Sequence, residues 1–159
     1  MAQKKFHRRI ARERSLQILY AYELNGDNLI ALEEGILSDI HNESDRALSI
    51  KLVSTVLKNK SALDEKIGER VNNWEMDRIA LIDKLLLRMG IAELMFFPEI
   101  PPKVSINEVI EIAKNYSTAG SGKFINGILD AVLINLKKNG LLKKTGRGLI
   151  EQSLSRKKS

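Results

Sequence analysis

The most sharply patterned chemistry in this chain is cationic. Lys5, Arg8, Arg9 and Arg12 stand at i, i+3, i+4 and i+7, which on a helix turning 100° per residue gathers them within about a 100° arc. Ala11, Ser15, Ile18, Leu19 and Tyr22 fall together on another side, as a core-facing stripe would, and Tyr20 lies at the edge of the basic arc, just past Arg9. Four cations on one stripe of a helix tied to a core repel one another, so an anionic partner would relieve that cost. Arginine suits phosphate in particular, because its planar fork donates two hydrogen bonds at once. The plainer alternative is a solvated basic face.

Other chemistry is poorly supported. The two histidines, His7 and His41, are far apart in sequence and belong to unrelated elements, and there is no cysteine, which excludes disulfides, thiolate catalysis and cysteine-held metals. No serine has the Gly-x-Ser-x-Gly setting of a hydrolase elbow. Glu108 and Glu111 share a helix face, but capping and solvation account for them. Gly120-Ser121-Gly122-Lys123 looks like part of a phosphate-binding loop. The full pattern needs glycine five residues before Gly122 and Ser or Thr after the lysine, and those places hold Ser117 and Phe124. What survives is a glycine turn, the amides of a helix start and one lysine, which can hold a phosphate group without chemistry. No catalytic residue, cofactor or metal is expected.

The elements that must position these groups read as helices. The three prolines, Pro98, Pro101 and Pro102, cluster in one connection, leaving the rest of the chain open to long helices, and no stretch alternates as a strand would. The first helix covers about residues 6–25 and stops at Asn25-Gly26. A weaker one covers 29–41. Asp45 begins a third, with Leu48, Leu52, Val53, Val56 and Leu57 as its apolar stripe. Ser61-Ala62-Leu63-Asp64 reads as a capping-box variant opening a fourth, to about Val71. Ile79 to Phe97 is apolar on nearly every side apart from Asp83, Lys84, Arg88 and Glu93, as befits a central helix. Ser105 and Glu108 read as a capping box before Ile106, Val109, Ile110, Ala113 and Tyr116. The last core helix carries Ile125, Ile128, Leu129, Val132 and Leu136, and Gly127 within it is expected to let another helix approach closely. The fold class is therefore all-α, with residues 1–138 as one helical domain. Residues 139–159 are expected to form a loosely ordered basic tail with a short helical turn near Leu149–Leu154.

The bulk numbers fit one soluble domain: 159 residues, 43% hydrophobic and 29% charged. The net charge of +6 is unevenly spread. Residues 1–14 hold six Lys/Arg against one acid and residues 137–159 hold eight against one, so the ends carry +5 and +7 and the body between them −6. Basic ends on an acidic body point to a polyanion held at the ends. No apolar run is long enough to cross a membrane, and the Arg-rich start lacks the apolar stretch of a secretory signal. An organelle presequence is disfavoured, because the helical pattern runs straight on into apparent core. A cytoplasmic location is expected.

Four segments stand out together: the run from Arg8 to Tyr20, the stretch Leu87-Arg88-Met89-Gly90-Ile91-Ala92-Glu93-Leu94, the segment from Ile100 to Lys114, and Lys123-Phe124-Ile125-Asn126-Gly127-Ile128-Leu129-Asp130. They resemble the NusB family of bacterial transcription antitermination factors. They occur in family order from about residue 6 to 136. The resemblance implies about seven helices in two packed subbundles and a non-enzymatic role in elongating ribosomal RNA transcripts. It implies a pair with NusE, a protein also found in the small ribosomal subunit, that binds single-stranded boxA RNA, and through that pair an indirect link to the RNA polymerase elongation complex. Carried over, the family's basic start falls on Arg8, Arg9 and Arg12, with Lys4 and Lys5 as neighbours. A second RNA-contacting region falls on Ser121, Lys123 and Phe124, where Phe124 either stacks on a base or anchors its helix. The NusE-facing positions fall on Tyr20 and Asp83. Gly120 departs from the acidic residue often found there in the family. With only 5% aromatic residues, the stacking platform is thin, so RNA affinity is expected to be modest alone and tighter with NusE.

Three rivals stand beside this reading. The same module occurs at the N-terminus of certain ribosomal RNA cytosine methyltransferases, but this chain has no room for a catalytic domain and no cofactor fingerprint. A helical DNA-binding protein would need an exposed recognition helix after a tight turn, and none is apparent. A helical interaction scaffold remains open, as does a homodimer that hides the basic face.

Overall fold

The computed structural model describes residues 2–26 and 28–149. Among them are eight α-helices, one short 3₁₀ turn and no strand. The chain divides into two compact units, Met1–Lys58 and Asn59–Ser159.

The first unit contains α1 (Ala2–Asn25), α2 (Leu29–Ile36) and α3 (Glu43–Lys58). α1 ends where the sequence indicated: Gly26 takes a φ of 62°, the conformation glycine adopts at least cost, and its amide donates to the Tyr22 carbonyl at 2.8 Å. Asn28 caps α2 by accepting from the Ile30 and Ala31 amides. α2 stops at Ile36, short of the expected residue 41. The chain from Leu37 to Ile40 is instead held by Arg46, which donates to both carbonyls. α1 packs along α3 through Ala11, Ile18, Leu19, Leu48, Leu52, Val53 and Val56, all buried. At the centre of that contact, Ser15 and Ser49 share a hydrogen bond of 2.8 Å, and Ser15 also reaches the Ala11 and Ser49 carbonyls. Their small side chains let the two helices come close.

The second unit contains α4 (Lys60–Gly68), α5 (Asn73–Arg78), α6 (Leu81–Phe96), α7 (Pro102–Tyr116) and α8 (Ser121–Lys138). α6 is central, as its pattern indicated: every residue from Leu85 to Leu94 is buried, and the helix packs against α4, α7 and α8. Its buried polar residues each hold a different neighbour. Arg88 makes a two-pronged ion pair with Asp64 of α4 at 2.7 and 3.0 Å. Glu93 accepts from Ser105 of α7 at 2.8 Å. Asp83 holds the turn between α7 and α8.

Four local expectations are corrected. α7 begins at Pro102, not at a Ser105 cap, because two successive prolines fix φ for a first helical turn and have no amide hydrogen to lose. Ser105 and Glu108 are thereby placed inside the helix on its buried face. α4 begins at Lys60, without a side-chain cap from Ser61. α5 was not foreseen, although Asn72 caps it by accepting from the Glu75 amide at 2.7 Å. Finally, the glycine of close approach is Gly90, where an added Cβ would sit 2.9 Å from a Leu129 methyl, whereas a Cβ on Gly127 would meet nothing within 4 Å.

The segment after α8 departs from a loose tail through Leu149. Lys144 is only 7% exposed and donates to the carbonyls of Glu93 and Phe97 at 3.0 and 2.8 Å. The Thr145 amide donates to the Pro98 carbonyl at 3.0 Å, and Gly148 packs so tightly on that carbonyl that a Cβ would overlap it. A cation on the last carbonyls of α6 complements the negative end of the helix dipole. The helical turn expected near Leu149–Leu154 falls almost wholly on residues 150–159, outside the described residues.

Candidate nucleic-acid interface

In the first unit, α1 presents the basic stripe. Lys4 and Lys5 are exposed and Arg8 and Arg9 half-exposed. Arg8 leans toward the start of α3, donating to Ser44 at 3.2 Å and lying 3.9 Å from an Asp45 carboxylate oxygen. A guanidinium has five N–H donors, so this contact fixes the side chain and leaves donors for a phosphate. Arg12 does not extend the exposed stripe. It is 3% exposed, and with Arg12 turned inward the accessible cations stop at Arg9. Arg14, which the spacing argument passed over, is engaged elsewhere on the unit: it grips Asp39 with two bonds of 2.6 and 3.0 Å and donates to the Ile36 carbonyl. The Arg14 hydrogen bond holds the Asp39 carboxyl below its usual range. Burial raises the Glu13 carboxyl, against the pull of Arg9 and Arg14. Tyr20 is exposed on the same helix.

In the second unit, the residues singled out around α8 come together. An open groove of about 580 Å³ runs between the end of α7 and the start of α8, lined by Ile110, Lys114, Thr118, Ala119, Gly122, Lys123 and Asn126. α8 opens at Gly120, which has no side chain to cap it; the Ser121 amide donates instead to the Thr118 carbonyl at 3.1 Å. Lys123 is exposed, and Phe124 is 38% exposed, a ring available for stacking. Ser121, by contrast, is buried and donates to Asp83 at 2.8 Å, while Ser117 donates to the other Asp83 oxygen at 2.6 Å. Asp83 is 8% exposed with both oxygens occupied. Tyr20 and Asp83, paired by the resemblance, belong to different units. Lys114, Ser117 and Thr118 were missed. The signal for the two hydroxyls was the Ser-Thr pair closing α7 four residues before Ser121, a spacing that becomes meaningful only once the chain turns there.

No helix among the described residues is long and apolar enough to cross a membrane. Each unit presents exposed cations, and the second also an exposed aromatic ring, which are groups that hold a nucleic-acid backbone and its bases.

Comparison with known proteins gives the family. The model of the NusB family matches residues 9–133. The chain is 48% identical over 145 residues to the transcription antitermination protein NusB of Salinibacter ruber, covering 90% of this chain and 91% of that protein. It is 43% identical over 146 residues to the corresponding protein of Chloroherpeton thalassium, covering 91% and 69%. Among solved structures it superposes on T. maritima NusB with a TM-score of 0.73 at 33% identity, over 79% of this chain and 89% of that one. A structure of the antitermination factors NusB and NusE in complex with dsRNA matches with the same TM-score of 0.73 at 27% identity, over 81% and 97%.

Proposed function

Because the chain belongs to the NusB family, we propose that it is a non-enzymatic transcription antitermination factor that binds RNA together with a NusE protein. The RNA it takes is the single-stranded boxA-type element of nascent ribosomal RNA transcripts, and its place of action is the cytoplasm. RNA polymerase is engaged through the assembled complex.

The observation that carries the RNA-binding part is the α1 surface: Lys4, Lys5, Arg8 and Arg9 accessible on a helix whose other side is locked to α3 by Ala11, Ser15, Ile18 and Leu19. A rigid cationic row neutralises phosphates with little ordering cost and releases their counterions. Lys123 and Phe124 on the second unit add a further phosphate contact and a stacking face. A single strand splays its bases for such contacts, whereas a duplex keeps them stacked.

The test is fluorescence anisotropy with a short boxA-like RNA, a scrambled RNA and the matching DNA duplex, each with and without NusE. The expected result is preference for the boxA-like strand, sharpened by NusE. Equal binding of all three probes, unchanged by NusE, would leave only a basic helical protein.

A further inference from the structure

Asp83 sits in the first turn of α6, yet its carboxylate is directed wholly at the turn between α7 and α8. Oδ1 accepts from Ser117 Oγ at 2.6 Å and Oδ2 from Ser121 Oγ at 2.8 Å. Thr118 Oγ1 lies 2.9 Å from Ser121 Oγ. Ser117 Oγ also lies 2.8 Å from Ser121 Oγ, so three hydroxyl protons face four contacts: with Ser117 and Ser121 donating to the carboxylate and Thr118 to the oxygen of Ser121, the Ser117–Ser121 approach carries no proton of its own. Ser117 ends α7 and Ser121 begins α8. One buried side chain therefore pins both sides of the turn that forms the groove wall and fixes the start of the helix bearing Lys123 and Phe124. α8 has no cap of its own at Gly120. The Asp83 charge, reaching Ser121 from another helix, supplies the negative group that a helix start favours.

We propose that Asp83 is a positioning residue for RNA binding: with Ser117 and Ser121 it clasps the α7–α8 turn in the conformation that presents Lys123, Phe124 and the groove to RNA. This rests on the RNA-binding reading above. A turn released from the clasp holds the binding conformation only part of the time, and the apparent dissociation constant rises by the inverse of that fraction. The sign separates this from simple electrostatics. Removing a negative charge close to a phosphate-binding surface would by itself tighten RNA binding, whereas loss of the clasp weakens it.

The test measures RNA affinity and its salt dependence for the full chain and for Asp83→Ala, Ser117→Ala and Lys123→Ala, with hydrogen exchange of residues 117–124 as the local readout. Asp83→Ala is expected to weaken RNA binding by roughly 5- to 10-fold, as for a binding conformation held about 10–20% of the time. The salt slope should be unchanged, and amide exchange should be faster within the turn but not across α6. Ser117→Ala, which keeps the charge and removes one bond, should lose affinity in the same direction by less, and it serves alone if Asp83→Ala does not fold. Lys123→Ala should flatten the salt slope by about 0.7, one phosphate contact. Affinity of Asp83→Ala equal to or tighter than wild type, with Lys123→Ala weakened, overturns the clasp and leaves the RNA surface standing. No effect of Lys123→Ala overturns the RNA reading of this surface and the clasp with it.

Discussion

Three residues apart on α1, Arg9 is half-exposed and Arg12 is buried, and the two arginines answer to different measurements. Arg9→Ala is expected to flatten the logarithmic salt dependence of RNA binding by about 0.7, the value of one single-strand phosphate contact, with little effect on stability. Arg12→Ala is expected to do the reverse, lowering the urea midpoint by removing a buried, engaged side chain while leaving the salt slope alone. A slope change with Arg12→Ala and none with Arg9→Ala would contradict this placement. In the second unit the same reasoning applies to Arg88, whose two bonds to Asp64 are its link to α4. Truncating it to alanine leaves a partly buried carboxylate without its partner, at a cost of about 3 kcal/mol in urea unfolding.

The helices were legible in the sequence wherever an apolar stripe repeated with helical period, because burying one face is what makes a helix stable in a protein. α1, α3, α6 and α8 are where the stripe put them. Boundaries set by competing local signals were not. Ser105 and Glu108 match a capping box, but the Pro101-Pro102 pair starts the helix first, and the serine is left to bond Glu93. The site was half legible: spacing found the α1 cations, but whether Arg12 faces outward and where the Asp83 carboxylate points are decided by packing between helices, which no local window contains. Gly90 and Gly127 make the same point in the form of a measurement. Gly127→Ala, in open space on α8, is expected to gain about 0.5–1 kcal/mol from helix propensity. Gly90→Ala would press a Cβ into the Leu129 methyls, and overpacking of about 1–3 kcal/mol outweighs the same gain. Paired urea titrations showing the opposite order would mean that α6 and α8 are not packed as described.

At the scale of the whole molecule, charge is concentrated at the two ends of the chain, and both ends are partly committed to structure. Toward the C-terminus the commitment is Lys144, whose pKa burial draws down to about 8 against the pull of Glu93 and Glu99. Its folded value lies below its unfolded one, so between about pH 8 and 10.5 the unfolded chain binds more protons than the folded one, and stability rises with pH across that window. The rise is at most about 1.4 kcal/mol per pH unit from this group. Lys144→Met, compared with wild type by urea unfolding at pH 7.5, 8.5 and 9.5, should remove that part of the pH dependence. An identical pH dependence in both proteins would contradict a buried ammonium on the α6 carbonyls.

Toward the N-terminus Arg12 is buried while Lys4, Lys5, Arg8 and Arg9 stay accessible. The central claim is that the accessible cations of α1 hold RNA by its phosphates, and the salt dependence of RNA affinity tests it most directly. Wild type should show a log–log slope of about −3 to −4, for four to six phosphate contacts on a single strand. A variant with Lys4, Lys5, Arg8 and Arg9 all changed to alanine should still fold, with a lower urea midpoint because Arg8 loses its contacts to Ser44 and Asp45, and show a slope near −1. A slope that stays at the wild-type value in the folded variant would contradict the account and move the RNA contact off α1.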